Sequence, residues 1–337
     1  MKNSLPLPDR PYRMHRMKLL FETGPFFYAE FNFRLFLFLL FKKTALLVSN
    51  DLDTLAANYL VSKIKKADLV YDSHEYFTEV PELQNNKWKK QTWKFIERHI
   101  FPKLKKVYTV NESIAAIYNK EYGVQVKTIR NFPFSSLHNT ELRVKSKAEL
   151  NLPENKKIIL LQGAGINMDR GAEEAVEAMQ FIDSAILLII GSGDVIAKLK
   201  EMTLTLNLSE KVKFINKLPL EALSQYTSHA DVGLTLDKDT CLNYRYSLPN
   251  KFFDYIHAGI PVLASPLVEI KKIMDSYHVG ELIEHHQPKH IADKLNFMLT
   301  DENRIKIWKE NCKIAAKDFS WELEEVELKK IYQDFIC

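Results

Sequence analysis

Cysteine is scarce in this chain of 337 residues: the three present, Cys241, Cys312 and Cys337, are widely spaced, form no Cys-x-x-Cys pair and have no histidine grouping beside them. That pattern argues against a disulfide framework and against a zinc site of the usual ligand spacing, and it fits a reducing cytoplasm. Long apolar runs are lacking too. The most apolar one, LFLFLLF at Leu35 to Phe41, is bounded by Arg34 and Lys42, far short of the ~20 residues that span a bilayer. The opening MKNSLPLPDRPYRMHRMK has neither an early apolar region nor a small-residue cleavage site, so it does not read as a secretion signal. Nor is one charge in large excess. With 47 basic residues against 43 acidic ones, the balance gives no indication of a nucleic-acid partner.

What is present is an ordinary globular composition, 46% hydrophobic and 27% charged, at a length that supports two domains, each with its own core. From Thr44 onward short apolar runs alternate with longer helical patterns. ALLVS (45–49), DLVYD (68–72), KVYTV (106–110) and VKTI (126–129) read as strands with helices between them. A stretch with two prolines and little periodicity, IRNFPFSSLHNTELRVKSKAELNLPENKK, then interrupts the rhythm. The rhythm resumes with KIILLQG (157–163) and AILLIIGSG (185–193), whose continuous apolar cores suit parallel strands covered on both faces. VKFI (212–215), DVGLTL (231–236), PVLAS (261–265) and GELI (280–283) continue it. The expectation is an α/β protein with two parallel sheets: a first domain over 1–133, a linker over 134–154, a second domain over 155–318 and a closing helix over 319–337.

Two strand exits, GAGINMDRG and GSGDVIA, begin Gly-x-Gly but carry Met168 and Ile196 where a dinucleotide fingerprint needs its third glycine, so NAD binding is rejected. Gly191 and Gly193 read as a tight turn. Gly163, Gly165 and the loop to Gly171 read as a ligand loop, because Arg170 sets a cation beside exposed amides. The segment SLPNKFFDYIHAGIPVLAS (247–265) reads as a short helix with Pro249 at its first position and a Gly259, Pro261 stop. Its first turn carries Lys251, a cation at the positive end of the helix dipole, where an acid or a bound anion is favoured. Lys251 and Asp254 share a face. Either they form a surface ion pair worth ~0.5 kcal/mol, or Lys251 neutralises a phosphate while Asp254 accepts hydrogen bonds from sugar hydroxyls.

LPNKFFDYIHAGIPVLAS, VKFINKLPLEALSQYTSHADVGLTL, GAGINMDRGAEEAVEAM and FSWELEEVELKKIYQDF resemble the nucleotide-sugar half of family 4 glycosyltransferases. NDLDTLAANYLVSKIKKADLVYDSHEYFTEVPEL and YTVNESIAAIYNKEYGVQVKTIRNFP resemble the acceptor-side domain of the same family. The resemblance implies a GT-B fold: two Rossmann-like domains whose parallel sheets face each other across a cleft, with a C-terminal helix crossing back to the first domain. It implies retaining transfer of a sugar from a nucleotide diphosphate sugar to a glycan or lipid-linked acceptor, with no metal or other cofactor. By position it gives Asp254 the ribose, Lys251 and Arg170 the diphosphate, and His74 a place beside the donor sugar. Gly163, Gly165, Lys217 and Asn250 join the donor set, and Asp51 and Glu75 lie on the acceptor side. Asp53 reads as a helix N-cap.

This chain departs from the family pattern twice. Eight positions before Asp254, where the family carries its first carboxylate, stands Tyr246, and the usual opening strand, glycine loop and helix are missing before Thr44. The second departure predicts a first sheet short of one strand, with apolar surface exposed. Together they motivate an alternative reading, a weakly active or inactive relative that serves as a binding or assembly partner. The segment KWKKQTWKFIERHIFPKLKK, Lys87 to Lys106, holds eight basic residues and one acid with aromatics among them. It reads either as a membrane-surface contact on the cytoplasmic face or as a solvated face with buried aromatics.

Overall fold

The computed structural model describes residues 10–135 and 144–335. The chain divides into two compact units, one running to Thr128 and resuming at Gln333, the other running from Ile129 to Tyr332.

Unit 1 contains, in order, α1 (Gly24–Leu40), β1 (Leu46–Asn50), α2 (Leu52–Lys65), β2 (Asp68–Ser73), α3 (Pro81–Gln84), α4 (Lys87–Ile100), β3 (Lys106–Thr109), α5 (Glu112–Tyr122) and β4 (Val126–Thr128). The strands form one parallel sheet in the order β1-β2-β3-β4. A unidirectional run of this kind places the crossover helices on one face, because parallel crossovers are right-handed. The core there is aromatic: Tyr71 of β2 meets Phe101 edge-on at 5.6 Å, and Phe101 lies 4.5 Å from Tyr118 of α5. β1 is an edge strand whose Val48 is exposed. Ahead of it, α1 is an element the strand rhythm did not announce. Pro25 in its first turn suits a helix start, yet none of its residues is fully buried, and Phe26, Phe33 and Phe41 at its outer side are exposed. Among the described residues no helix is long and apolar enough to cross a membrane.

Unit 2 contains β5 (Lys157–Gly163), α6 (Ala172–Ala178), β6 (Ala185–Gly191), α7 (Ile196–Thr205), β7 (Val212–Asn216), α8 (Leu220–Thr227), β8 (Val232–Thr235), α9 (Leu242–Arg245), α10 (Asn250–His257), β9 (Val262–Ala264), α11 (Val268–Tyr277), β10 (Gly280–Leu282), α12 (Pro288–Thr300), α13 (Glu302–Asp318) and α14 (Trp321–Tyr332). Its six strands are all parallel, in the order β10-β9-β8-β5-β6-β7. Successive residues of β5 and β6 enter opposite cores. Ile159, Leu161, Leu187 and Ile189 pack on one face and Ile158, Leu160, Ile186 and Leu188 on the other, which is why these strands read as unbroken apolar runs. Within the segment 134–154, Leu150 and Leu152 belong to the second of these cores, as does Phe132 just before it; residues 136–143 lie outside the described residues.

Sheet order fixes where a site can form. β5 is flanked by β6 on one side and β8 on the other, so the loop leaving β5 turns toward one half of the sheet and the loop leaving β8 toward the other. Ligands in open parallel sheets bind at the carboxyl ends of the strands, at such a reversal.

Candidate functional site

Three segments of unit 2 converge at that reversal: the loop after β5, the loop after β8 and the first turn of α10. The β5 loop is tightly bent, with Asp169 at φ 64° and Gly171 at φ 71°. A Cβ on Gly171 would lie 2.3 Å from the Leu236 carbonyl oxygen, so the two loops touch at backbone level. They are also pinned together: Lys238 N–H donates to the Asp169 carbonyl at 2.8 Å, and its ammonium is 2.5 Å from Glu174. No packing contact of this kind requires glycine at 163 or 165, where a Cβ would meet only ordinary contacts at 3.8 Å or more. Steric demand therefore explains Gly171, while the space beside Gly163 and Gly165 is open.

Asp237, two residues past β8, is the centre of the group. Its carboxylate is buried at 1% exposure, with Oδ1 3.5 Å from Arg170 Nη1 and Oδ2 3.6 Å from Lys251 Nζ. Thr235 Oγ1 donates to Oδ2 at 3.2 Å. Arg170 also lies over the Tyr244 ring, its guanidinium carbon 5.0 Å from the centroid, a cation–π contact that orients the group. Lys251 is mostly buried, its side chain 10% exposed, and that burial holds its ammonium below the usual lysine range despite the Asp237 carboxylate. The helix opens one residue later than its sequence suggests. Pro249 is the N-cap, in extended conformation, and Asn250 is the first helical residue.

No Lys251–Asp254 ion pair forms. Asp254, on the next turn, receives a hydrogen bond at 3.1 Å from Gln162 Nε2 on β5, whose Oε1 accepts from Thr227 Oγ1 at 2.8 Å. Burial raises the Asp254 carboxyl to about 6, the Gln162 bond opposing the shift. The helix behind it is fixed by Tyr255, whose hydroxyl donates to the Leu160 carbonyl and accepts from the Gln162 N–H, both at 3.1 Å. Arg170, Lys251 and Asp254 are thus brought to one end of the unit 2 sheet, with Gly163 and Gly165 alongside. Asn250 is there too but exposed. Lys217 is not in the group: it follows the edge strand β7, two strands away from β5, and is exposed. Tyr246 is the C-cap of α9.

The sequence-marked residues of unit 1 gather at the carboxyl end of its own sheet. His74 follows β2 and is clamped between two carboxylates, Nδ1 3.2 Å from Asp51 Oδ2 and Nε2 3.2 Å from Asp72 Oδ2. The other Asp51 oxygen accepts from the His74 backbone N–H at 2.9 Å, and Tyr108 donates to Asp72 at 3.0 Å. Hydrogen bonds to Asp51 first, then to Asp72, raise the imidazole to about 10, so His74 is an imidazolium at neutral pH with both N–H groups engaged. Asp51 is the N-cap of α2 at φ 58°, ψ 169°, a conformation almost confined to glycine. Its side chain does not cap the helix, being committed to His74 instead, and Asp53 lies inside the first turn rather than at the cap. Glu75 shapes the loop through its carbonyl, which accepts from Ser73 Oγ and from the Phe77 N–H, each at 2.9 Å.

Three participants were not singled out from sequence: Asp237, Gln162 and Asp72. Gln162 carried a signal, since it is the one long polar side chain ending an otherwise apolar strand, KIILLQG. Asp237, beside Lys238 and Asp239 in LDKDT, and Asp72, in DSHE, had none that separates them from surface acids.

Among the glycosyl transferases of group 1, the family profile matches residues 143–315. No curated protein matches the chain by sequence. Solved structures similar to it include a sucrose-phosphate synthase from Thermosynechococcus elongatus, at 18% identity over 91% of this chain and 78% of that one, with a TM-score of 0.74. A glycosyltransferase from Rickettsia africae aligns at 16% identity over 96% and 85%, TM-score 0.70. Anabaena HepE in complex with UDP-glucose aligns at 15% identity over 92% and 84%, TM-score 0.73. The fold they share with the chain is GT-B.

Two outcomes follow from the geometry. Asp237→Ala removes the shared carboxylate from a buried lysine and should lower unfolding stability by about 3 kcal/mol, read by denaturant unfolding; an unchanged midpoint would mean the two cations do not depend on it. His74 should stay protonated up to about pH 10 in NMR titration. Because the folded value is raised, its contribution to stability is complete below the ordinary histidine range and is lost as pH rises toward that value. Asp51→Asn should bring the titration down toward neutrality, and an unshifted imidazole signal would contradict the clamp.

Proposed function

The chain belongs to the glycosyl transferases of group 1, and from that premise we propose that unit 2 binds a nucleotide diphosphate sugar at the reversal between β5 and β8. The observation that carries this reading is the convergence of two cations on one buried carboxylate at a helix N-terminus. Arg170 and Lys251 hold the diphosphate, turning from Asp237 toward the phosphate oxygens, and the first turn of α10 adds its positive dipole end. Asp254, kept in place by Gln162, accepts hydrogen bonds from the ribose hydroxyls. The space beside Gly163 and Gly165 lets the backbone approach the ligand. The UDP-glucose bound by Anabaena HepE favours a UDP-sugar as the first donor to try.

Transfer proceeds with retention. The acceptor hydroxyl oxygen bonds to the anomeric carbon as the bond from that carbon to the phosphate oxygen breaks, and the departing diphosphate takes the acceptor proton. Charge developing on the diphosphate is met by Arg170, Lys251 and the helix end, preorganised donors in a partly desolvated site, so the reaction needs no metal. In unit 1, His74 is a fixed imidazolium whose two ring N–H groups are engaged by Asp51 and Asp72.

The acceptor is a glycan or a lipid-linked sugar. α4 supports the lipid-linked form: Trp88 and Phe95 are exposed beside Lys87, Lys89 and Arg98, the pattern of a helix lying on an anionic membrane surface.

Titration with UDP should show Asp254→Ala weaker by about 1.5 to 3 kcal/mol, roughly ten- to a hundredfold. UDP binding to wild type should also weaken as pH falls through about 6, where the Asp254 carboxyl takes up its proton. Undiminished affinity in the variant would refute the ribose assignment. Sedimentation with anionic vesicles at low salt should carry the wild type down and leave Trp88→Ala/Phe95→Ala in solution; wild-type protein that stays in the supernatant removes the membrane role.

A further inference from the structure

At the amino ends of β2 and β3, the opposite edge of the unit 1 sheet from His74, lies a hollow of about 540 Å³. It is lined by Lys63, Lys66, Lys103, Lys105 and Lys106 around Tyr59, with Asp68 and Asp334 contributing its carboxylates. The lysines come from two places distant in sequence. Lys63 and Lys66 sit at the end of α2, Lys66 being its C-cap in the left-handed conformation at φ 55°. Lys103, Lys105 and Lys106 close the basic segment that begins at Lys87. Two ammonium groups lie near the Tyr59 ring, Lys63 at 5.2 Å and Lys103 at 6.0 Å from its centroid.

Two of the five Lys and Arg residues of α4 are neutralised where they fold. Lys90 pairs with Glu79 at 2.7 Å, and Lys94 with Glu121 at 2.9 Å and Glu97 at 3.3 Å. In the hollow Lys106 pairs with Asp334 at 2.6 Å, while among the described residues Lys63, Lys66, Lys103 and Lys105 have no carboxylate within ion-pair distance. Complementing the helix dipole accounts for Lys63 and Lys66 at the C-terminus of α2. It does not account for Lys103 and Lys105, which belong to the lead-in of β3 and bring like charge to the same concavity. Like charges lining a concave surface with few counter-charges focus a positive potential into it.

We propose that this hollow is a binding site for a ligand carrying two or more phosphate groups, separate from the donor site and independent of the reading given for it. Lys66 and Lys103 grip the ligand from opposite elements, and Tyr59 between Lys63 and Lys103 supplies a flat wall. The shared chemistry is a clustered phosphate anion, free in solution or as a phosphorylated lipid headgroup.

The experiment is calorimetric titration of full-length protein with tripolyphosphate at low ionic strength, where such contacts are least screened. It is run on wild type, on Lys251→Ala to remove one of the two unit 2 cations, and on Lys66→Ala/Lys103→Ala, with circular dichroism confirming that each variant is folded. Expected is a binding component that survives Lys251→Ala and is weakened about tenfold in the double variant. No component in Lys251→Ala protein, or one indifferent to the double substitution, overturns the proposal. Should the double variant fail to fold, Lys105→Ala/Lys103→Ala is read by the same criterion. Vesicles of phosphatidylcholine with and without a phosphatidylinositol bisphosphate identify the source. Sedimentation that needs the phosphoinositide and is lost in the double variant, with Trp88 and Phe95 intact, marks a headgroup site; tripolyphosphate binding without it marks a free ligand.

Discussion

The reversal of strand order around β5 is the constraint on which the rest of unit 2 depends. Strands β5, β6 and β7 add in one direction and β8 then returns to the other flank of β5, so the loops leaving β5 and β8 diverge and cannot fill the space above the sheet. Into that space α10 brings its N-terminus, and its position is not adjustable. Phe252, Phe253, Tyr255 and Ile256 are all essentially inaccessible to solvent, and the Tyr255 ring leaves no room for a Cβ on Gly233, which would come within 2.4 Å of it. A close-packed core transmits that rigidity to the helix end, so Lys251 and Asp254 are placed by packing rather than by their own contacts.

The charges gathered there make electrostatic sense as a prepared site. Two cations share one buried carboxylate, leaving a local surplus of positive charge in a region shielded from water, where it is felt more strongly than at the surface. Asp237 makes it tolerable to keep Lys251 buried in the absence of ligand, and its ion-pair distances, longer than those of a tight pair, leave both cations able to turn toward a phosphate. The cluster at the end of the unit 1 sheet has the reverse composition, two carboxylates about one imidazolium. There the strained backbone of Asp51 reflects a trade: the residue gives up capping α2 in order to hold both the backbone and the ring of His74.

Much of the fold could be read from sequence because buried parallel strands have no polar alternation to blur them. KIILLQG and AILLIIG are continuous apolar runs for the reason that each face meets its own core. α1 was harder to foresee, since an apolar helix with no fully buried residue follows no two-sided or amphipathic rule. At the site, Lys251 was conspicuous because a lysine in a first helical turn contradicts the dipole, and Arg170 because it stands among glycines. Asp237 could not be found in the same way: its neighbours Lys238 and Asp239 are partly exposed charges, and nothing in the string LDKDT says which of the two acids faces inward.

The sequence by itself determined the two parallel sheets, the short helix opening at 249–250 and the cations set at a glycine loop and in a first helical turn, because periodicity, proline and glycine placement and helix dipoles act over a few neighbouring residues. Only the tertiary structure decided partners. That Lys251 turns to Asp237 rather than to Asp254, that Gln162 holds Asp254, and that Lys66 and Lys103 line one hollow are facts about residues 14, 92 and 37 positions apart. Such pairings are set by strand order and loop direction, and no local rule of chain chemistry encodes them.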